Sequence, residues 1–105
     1  MTQISEPDWK IFKTLREAAL DRFSRQILEE SVSICSDTDI PAHQRYLKLY
    51  DHIRTRDREL ANAFDDFRRS TALMCLRLMR RMGLLTDAEI SAFSHESRRV
   101  INLDL

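Results

Sequence analysis

The side chains able to do chemistry are few and poorly placed for it. The three histidines, His43, His52 and His95, fall in no H-x-x-x-H, H-E-x-x-H or Glu-x-x-His arrangement. Neither a zinc site nor a carboxylate-bridged di-iron bundle is therefore expected. His52 falls about 120° around its helix from the apolar seam, on the flank shared with Arg45 and Arg56, and reads as a boundary histidine. Cys75 sits in an apolar run and reads as an inert buried thiol. Cys35 has no neighbouring histidine to act as a base. Asp65 and Asp66 are adjacent, so on a helix they point about 100° apart and do not converge as a catalytic pair. Ser70 and Thr71 have no partner pattern. The sequence assigns no catalytic residue, no cofactor site and no metal site.

Two charged features remain. Arg16 lies inside the apolar face of the first helix. In an antiparallel pairing its level on the second helix falls near residue 60, within a turn of Asp57, the only charge in that helix's seam. An unpaired buried charge costs several kcal/mol, so a buried Arg16–Asp57 ion pair is expected. The second feature is arginine-rich: residues 45–81 hold ten basic and five acidic side chains, net +5, between a net −3 over 1–40 and a net −2 over 82–105. Neutralisation within the chain or across a dimer is the simpler account. The alternative is a nucleic-acid contact, or an acidic protein partner, at a surface that includes Arg77, Arg80 and Arg81. Aromatic groups are not interleaved with these arginines, which counts against single-strand binding. Glu89-Ile90-Ser91 followed by Ser97–Ile101 has helix-turn-helix spacing, but His95 replaces the usual turn glycine, and Ser94 and Glu96 occupy apolar positions. A helical cap over the apolar run is the better reading of that stretch.

The bulk numbers agree with a small helical domain. The 105 residues carry 17 basic and 17 acidic side chains, 43% apolar residues and one glycine. Zero net charge removes a global attraction to nucleic acid or membranes. A single glycine argues against Gly-rich phosphate loops and tight hairpins. Two separated cysteines suit a reducing compartment, and no basic-then-apolar leader is visible, so a cytoplasmic location is expected. No apolar run approaches the roughly 20 residues of a membrane span.

The elements follow from periodicity and caps. Ser5, Pro7 and Asp8 open a helix running over about 5–35. Trp9, Phe12, Leu15, Ala19, Leu20, Phe23, Ile27 and Ile34 gather on one side of it. Ser36–Pro41 is a break. Beyond it, Tyr46, Tyr50, Ile53, Asp57, Leu60, Phe64, Phe67, Thr71, Met74 and Leu78 alternate spacings of four and three. That heptad seam predicts one helix over about 41–82, with a kink allowed near 54–58 where the seam turns polar. Gly83 ends it. Thr86 and Glu89 form a capping box for a short helix over about 87–94, with a further helical turn over about 95–102.

The fold class expected is all-α: a long antiparallel helical hairpin with a short C-terminal helical segment, in which residue i of the first helix faces about residue 76 minus i of the second. The second helix outruns the first, and residues 72–79 are apolar nearly all round. A helix of that kind must be buried all round. A homodimer burying Leu73, Met74, Leu76, Leu78, Met79, Leu84 and Leu85 meets that requirement. The competing arrangement is a monomer with a helical break near residue 56 that folds into a compact bundle. The function expected is a small non-enzymatic interaction or regulatory protein acting through homo-oligomerisation and protein–protein contacts.

Overall fold

The computed structural model describes residues 3–103, which are mostly helical, with no strand among them. α1 spans Glu6–Ser36 and α2 spans Ala42–Leu60. A π-helical turn, Ala61–Asp65, and a single 3-10 turn, Arg69–Thr71, lead to α3, Ala72–Arg81. Two short helices follow, α4 at Asp87–Ser91 and α5 at His95–Ile101.

Local chemistry sets most of these boundaries. Ser5 caps α1 by accepting from the Asp8 amide at 3.4 Å, and Pro7 occupies the first turn, where its missing N–H costs nothing. Thr86 and Glu89 form the full reciprocal capping box of α4. Ser94 caps α5 through the Ser97 amide. Gly83 follows α3 with φ of 74°, the left-handed conformation that closes a helix without a Cβ penalty.

The continuous helix expected over 41–82 is not formed, and the break lies later than 54–58. The chain leaves helical geometry at Asp66 (φ −94°, ψ 80°) and is extended at Arg68 (φ −139°, ψ 150°). The sequence at the break supplies its own hydrogen bonds. The Thr71 hydroxyl donates to the Asp66 and Arg68 carbonyls at 3.1 and 3.2 Å, and Arg68 grips the Asp66 carboxylate with two nitrogens at 2.6 and 2.9 Å. The Asp66 and Arg68 carbonyls at the break are thus satisfied, which eases breaking a helix at a partly buried place.

The break turns α3 back onto the first half of α1. Phe12, Leu15, Ala19 and Phe23 of α1 pack with Ala63 and Phe64 of the π turn, with Leu73, Cys75, Leu76 and Met79 of α3, and with Leu84, Ile90, Phe93 and Ile101. The need for a second copy around residues 72–85 therefore disappears. Leu73, Leu76, Met79 and Leu84 are buried within one chain, Leu78 and Leu85 pack half-buried against the same core, and of the seven residues expected at a dimer contact Met74 alone is exposed. The helix is enclosed on the sides that matter because its own C-terminal segment and α1 reach it once the break redirects it.

Two carboxylates fasten the C-terminal segment to α1. Asp8 is buried and accepts from the Ser94 amide, the Ser94 hydroxyl at 2.6 Å and the Ser97 hydroxyl at 2.6 Å. Glu89 meets Arg22 of α1 in a two-pronged pair at 2.7 and 2.8 Å, and the same guanidinium donates to the Leu84 carbonyl.

Candidate interaction surface

The core occupies one end of the molecule, whose principal extents are 51 × 25 × 23 Å. The second half of α1 and all of α2 form an arm beyond it. Side-chain contacts fix the pairing of the arm. Arg45 donates to the Cys35 carbonyl at 2.8 Å, His52 Nε2 meets Glu30 at 3.0 Å, and Arg56 donates to Gln26 at 3.1 Å. The two helices therefore run in opposite directions, with residue i facing about residue 80 to 82 minus i. The register differs by about one turn from the 76-minus-i expectation, because α1 continues to Ser36 and places the turn nearer residue 40.

The face that α2 turns toward α1 is Arg45, Leu49, His52, Arg56, Glu59 and Leu60, all half-buried. It is mostly polar. Arg56 anchors it, pairing with Glu30 at 3.1 Å and lying 4.5 Å above the Phe23 ring. The ring supplies a cation–π contact and the carboxylate a charge, so the guanidinium is held on both sides. α2 has no buried residue at all.

The apolar seam read from the sequence consequently points elsewhere. Tyr46 is 61% exposed, Tyr50 53% and Ile53 46%, and Asp57 is exposed with them. These residues lie about 100° beyond the inward face in chain order. On α1, Leu28 (65% exposed) and Val32 (64%) lie well away from the residues that meet α2, Gln26, Ile27, Glu30 and Ile34, with Val32 on the opposite side of the helix. The uncovered apolar stripe of the arm is therefore the one on α2, Tyr46, Tyr50 and Ile53.

Arg16 and Asp57 do not meet. The Arg16 guanidinium donates to the Phe64 carbonyl in the π turn and lies 4.7 Å above the Phe67 ring. Its partner is a backbone group at the helix break, which the assumption of an unbroken helix concealed. The three arginines considered for nucleic acid are not presented together. Arg77 is buried, Arg80 donates to the Ile101 carbonyl at 2.8 Å where α5 ends, and Arg81 is exposed.

Among the described residues no group of three or more His, Cys, Asp or Glu side chains is placed to hold a metal ion, and no helix is long and apolar enough to cross a membrane. Burial pushes the Cys75 thiol above its ordinary value, which leaves it a poor nucleophile. Burial also opposes ionisation of Asp8, but the hydrogen bonds from Ser94 and Ser97 outweigh it and hold the carboxyl below the usual range. The Arg22 fork brings Glu89 down to about 2. Each strongly placed ionisable group is thereby occupied in holding the fold.

No protein-family model matches the chain, and no curated protein and no solved structure is significantly similar to it.

Proposed function

We propose that this chain is a small, non-enzymatic helical interaction or regulatory protein whose working surface is the uncovered α2 stripe of the two-helix arm. Homo-oligomerisation and protein–protein contacts are its means of action. One observation carries the reading: α2 meets its own partner helix through arginine, histidine and glutamate, and leaves Tyr46, Tyr50 and Ile53 in solvent. A helix needs its apolar stripe buried to be stable, and single chains seldom leave a contiguous apolar face open. Tyrosine is also among the side chains favoured at contact surfaces, since it covers much area at small entropic cost.

The test is a photo-cross-linking amino acid placed at residue 50 in the cells that make the protein. Protein adducts, to other chains or to a second copy, are expected. The same group at exposed Lys48, off the apolar face, gives a background level. No adduct at residue 50 above the Lys48 background rejects the reading.

A further inference from the structure

The residues of the break are themselves compatible with a helix. Residues 61–71 contain neither glycine nor proline, and Leu60, Phe64, Phe67, Thr71, Met74 and Leu78 keep heptad spacing straight through them. Side chains hold the interruption. Arg16 donates to the Phe64 carbonyl, the Thr71 hydroxyl to those of Asp66 and Arg68, and Arg68 grips the Asp66 carboxylate. In a continuous helix the same three carbonyls accept from backbone amides four residues on, so straightening leaves none of them unsatisfied. Short π and 3-10 stretches inside a helical run are common hinge points.

The path across the break has a definite sense. Before it, contacts descend α1: Arg56 meets Gln26, Phe64 stacks on Phe23 at 6.1 Å, and Phe67 stacks on Phe12 at 6.0 Å. After it they climb again, with Arg69 on Glu6 at 2.8 Å and the Leu84 carbonyl on Arg22 at 2.8 Å. The chain reverses near the start of α1, and α3 then runs parallel to α1 and against α2. Straightening the reversal carries α3 past the start of α1 and off its own chain. Leu73, Leu76 and Met79, buried in the single chain, then need the surface they left. A second copy straightened in the same way offers that surface, the vacated first half of its α1.

From this we infer that the chain has a second, domain-swapped form. Residues 42–81 make one helix about 60 Å long, and α3 with the C-terminal segment packs on α1 of a second copy, reciprocally. The exchange closes about a two-fold axis at the break. The two long helices pass each other antiparallel, and each delivers its α3 in the direction that the other copy's α1 requires. The core contacts, with the Asp8–Ser94 and Arg22–Glu89 clamps, recur between copies. The two forms therefore differ at the break and in the concentration that favours two chains over one. Leaving α1 means opening both clamps, so exchange is slow and the forms separate on a column. The swap makes no use of the α2 stripe and stands independently of the proposed function.

The experiment is size-exclusion with light scattering on the chain refolded from urea at near-millimolar concentration. A fraction is expected at twice 12.4 kDa that persists for hours after dilution. Thr71→Ala removes bonds that hold the break and is expected to raise that fraction several-fold. Ser70→Gly leaves those bonds in place and weakens a continuous helix, and is expected to lower it several-fold. Spin labels at Lys48→Cys and Arg81→Cys, both exposed positions, identify the form. They are placed in a Cys35→Ser background and refolded with excess unlabelled chain. The distance within one chain is expected to be about 50 Å in the dimer and about half that in the monomer, where the chain reverses between the labels. A single-chain mass under every condition overturns the inference. So does a dimer whose intrachain distance equals the monomer's, or a dimer fraction that neither Thr71→Ala nor Ser70→Gly moves.

Discussion

Arg16 of α1 donates to the carbonyl of Phe64, the backbone group that the end of the second helix leaves open. Its guanidinium also covers the ring of Phe67, which lies between Asp66, where the chain leaves helical geometry, and the extended Arg68. One arginine thus both satisfies and packs the break that lets α3 fold back.

Replacing that arginine should matter more than replacing the acid once expected beside it. Arg16→Met strands a carbonyl in a partly buried place, and hydrogen bonds from charged donors contribute about 1.5–3 kcal/mol. Asp57→Leu removes an exposed carboxylate and should stay within about 0.5 kcal/mol. Urea denaturation of dilute protein measures both. The double variant should show the sum of the two effects, since the residues share no contact; a coupling above about 0.5 kcal/mol would mean that they interact.

Asp8 is the second point of leverage. Its carboxylate accepts from Ser94 and Ser97 and so holds the start of α5 against the start of α1. Asp8→Ala leaves those donors unpaired in a buried place, at a cost of about 2 kcal/mol. Hydrogen exchange should show the loss first in residues 94–101. Uniform loss across α1, α3 and α5 would mean that the C-terminal segment is not a separable unit.

Acid should act through the same two clamps. The folded-state values of Glu89, about 2, and of Asp8 lie below their unfolded ones. Their contribution to stability is therefore complete above about pH 5 and is lost as pH falls through the folded values. The Arg22–Glu89 pair is partly exposed, so its share is discounted to on the order of 1 kcal/mol. Glu89→Gln should flatten the acid limb of a stability–pH curve between about pH 5 and 2. An unchanged slope in that variant excludes Glu89 as a source.

Gly83 offers a backbone test free of packing effects. A Cβ there meets nothing within 4 Å, yet φ is 74°. Gly83→Ala should cost about 1 kcal/mol through conformation alone. Thermal melts that match the parent would show that the α3 terminus relaxes without the left-handed turn.

Much of this architecture is legible in the residues. Ser5 with Pro7, Thr86 with Glu89, and Gly83 mark boundaries by local hydrogen bonding and steric preference, and the structure places helix ends at each. The apolar run at 72–79 is recognisable as a core helix, and it is buried except at exposed Met74 and half-buried Leu78. What covers it is not legible, because that depends on the break at 61–71. The seam runs in phase through Phe64, Phe67 and Thr71, so periodicity carries straight across residues where Thr71 and Arg68 bind carbonyl and carboxylate groups instead. The direction of the α2 seam was hidden for a related reason. Heptad counting finds an apolar stripe but not its partner, and here Arg56, resting on Phe23 and paired with Glu30, occupies the side facing α1. A signal was present: Arg45, His52 and Arg56 share one face with Leu49, a set suited to the acidic α1 residue Glu30.

The claim on which the rest depends is that the stripe containing Tyr50 faces away from its own chain. Thermal melting of dilute Tyr50→Glu tests it most directly. The account predicts a Tm within about 2 °C of the parent, as for any solvent-facing position. A fall of about 10 °C or more, equivalent to roughly 2 kcal/mol in a domain of this size, would show Tyr50 packed inside the chain and contradict it.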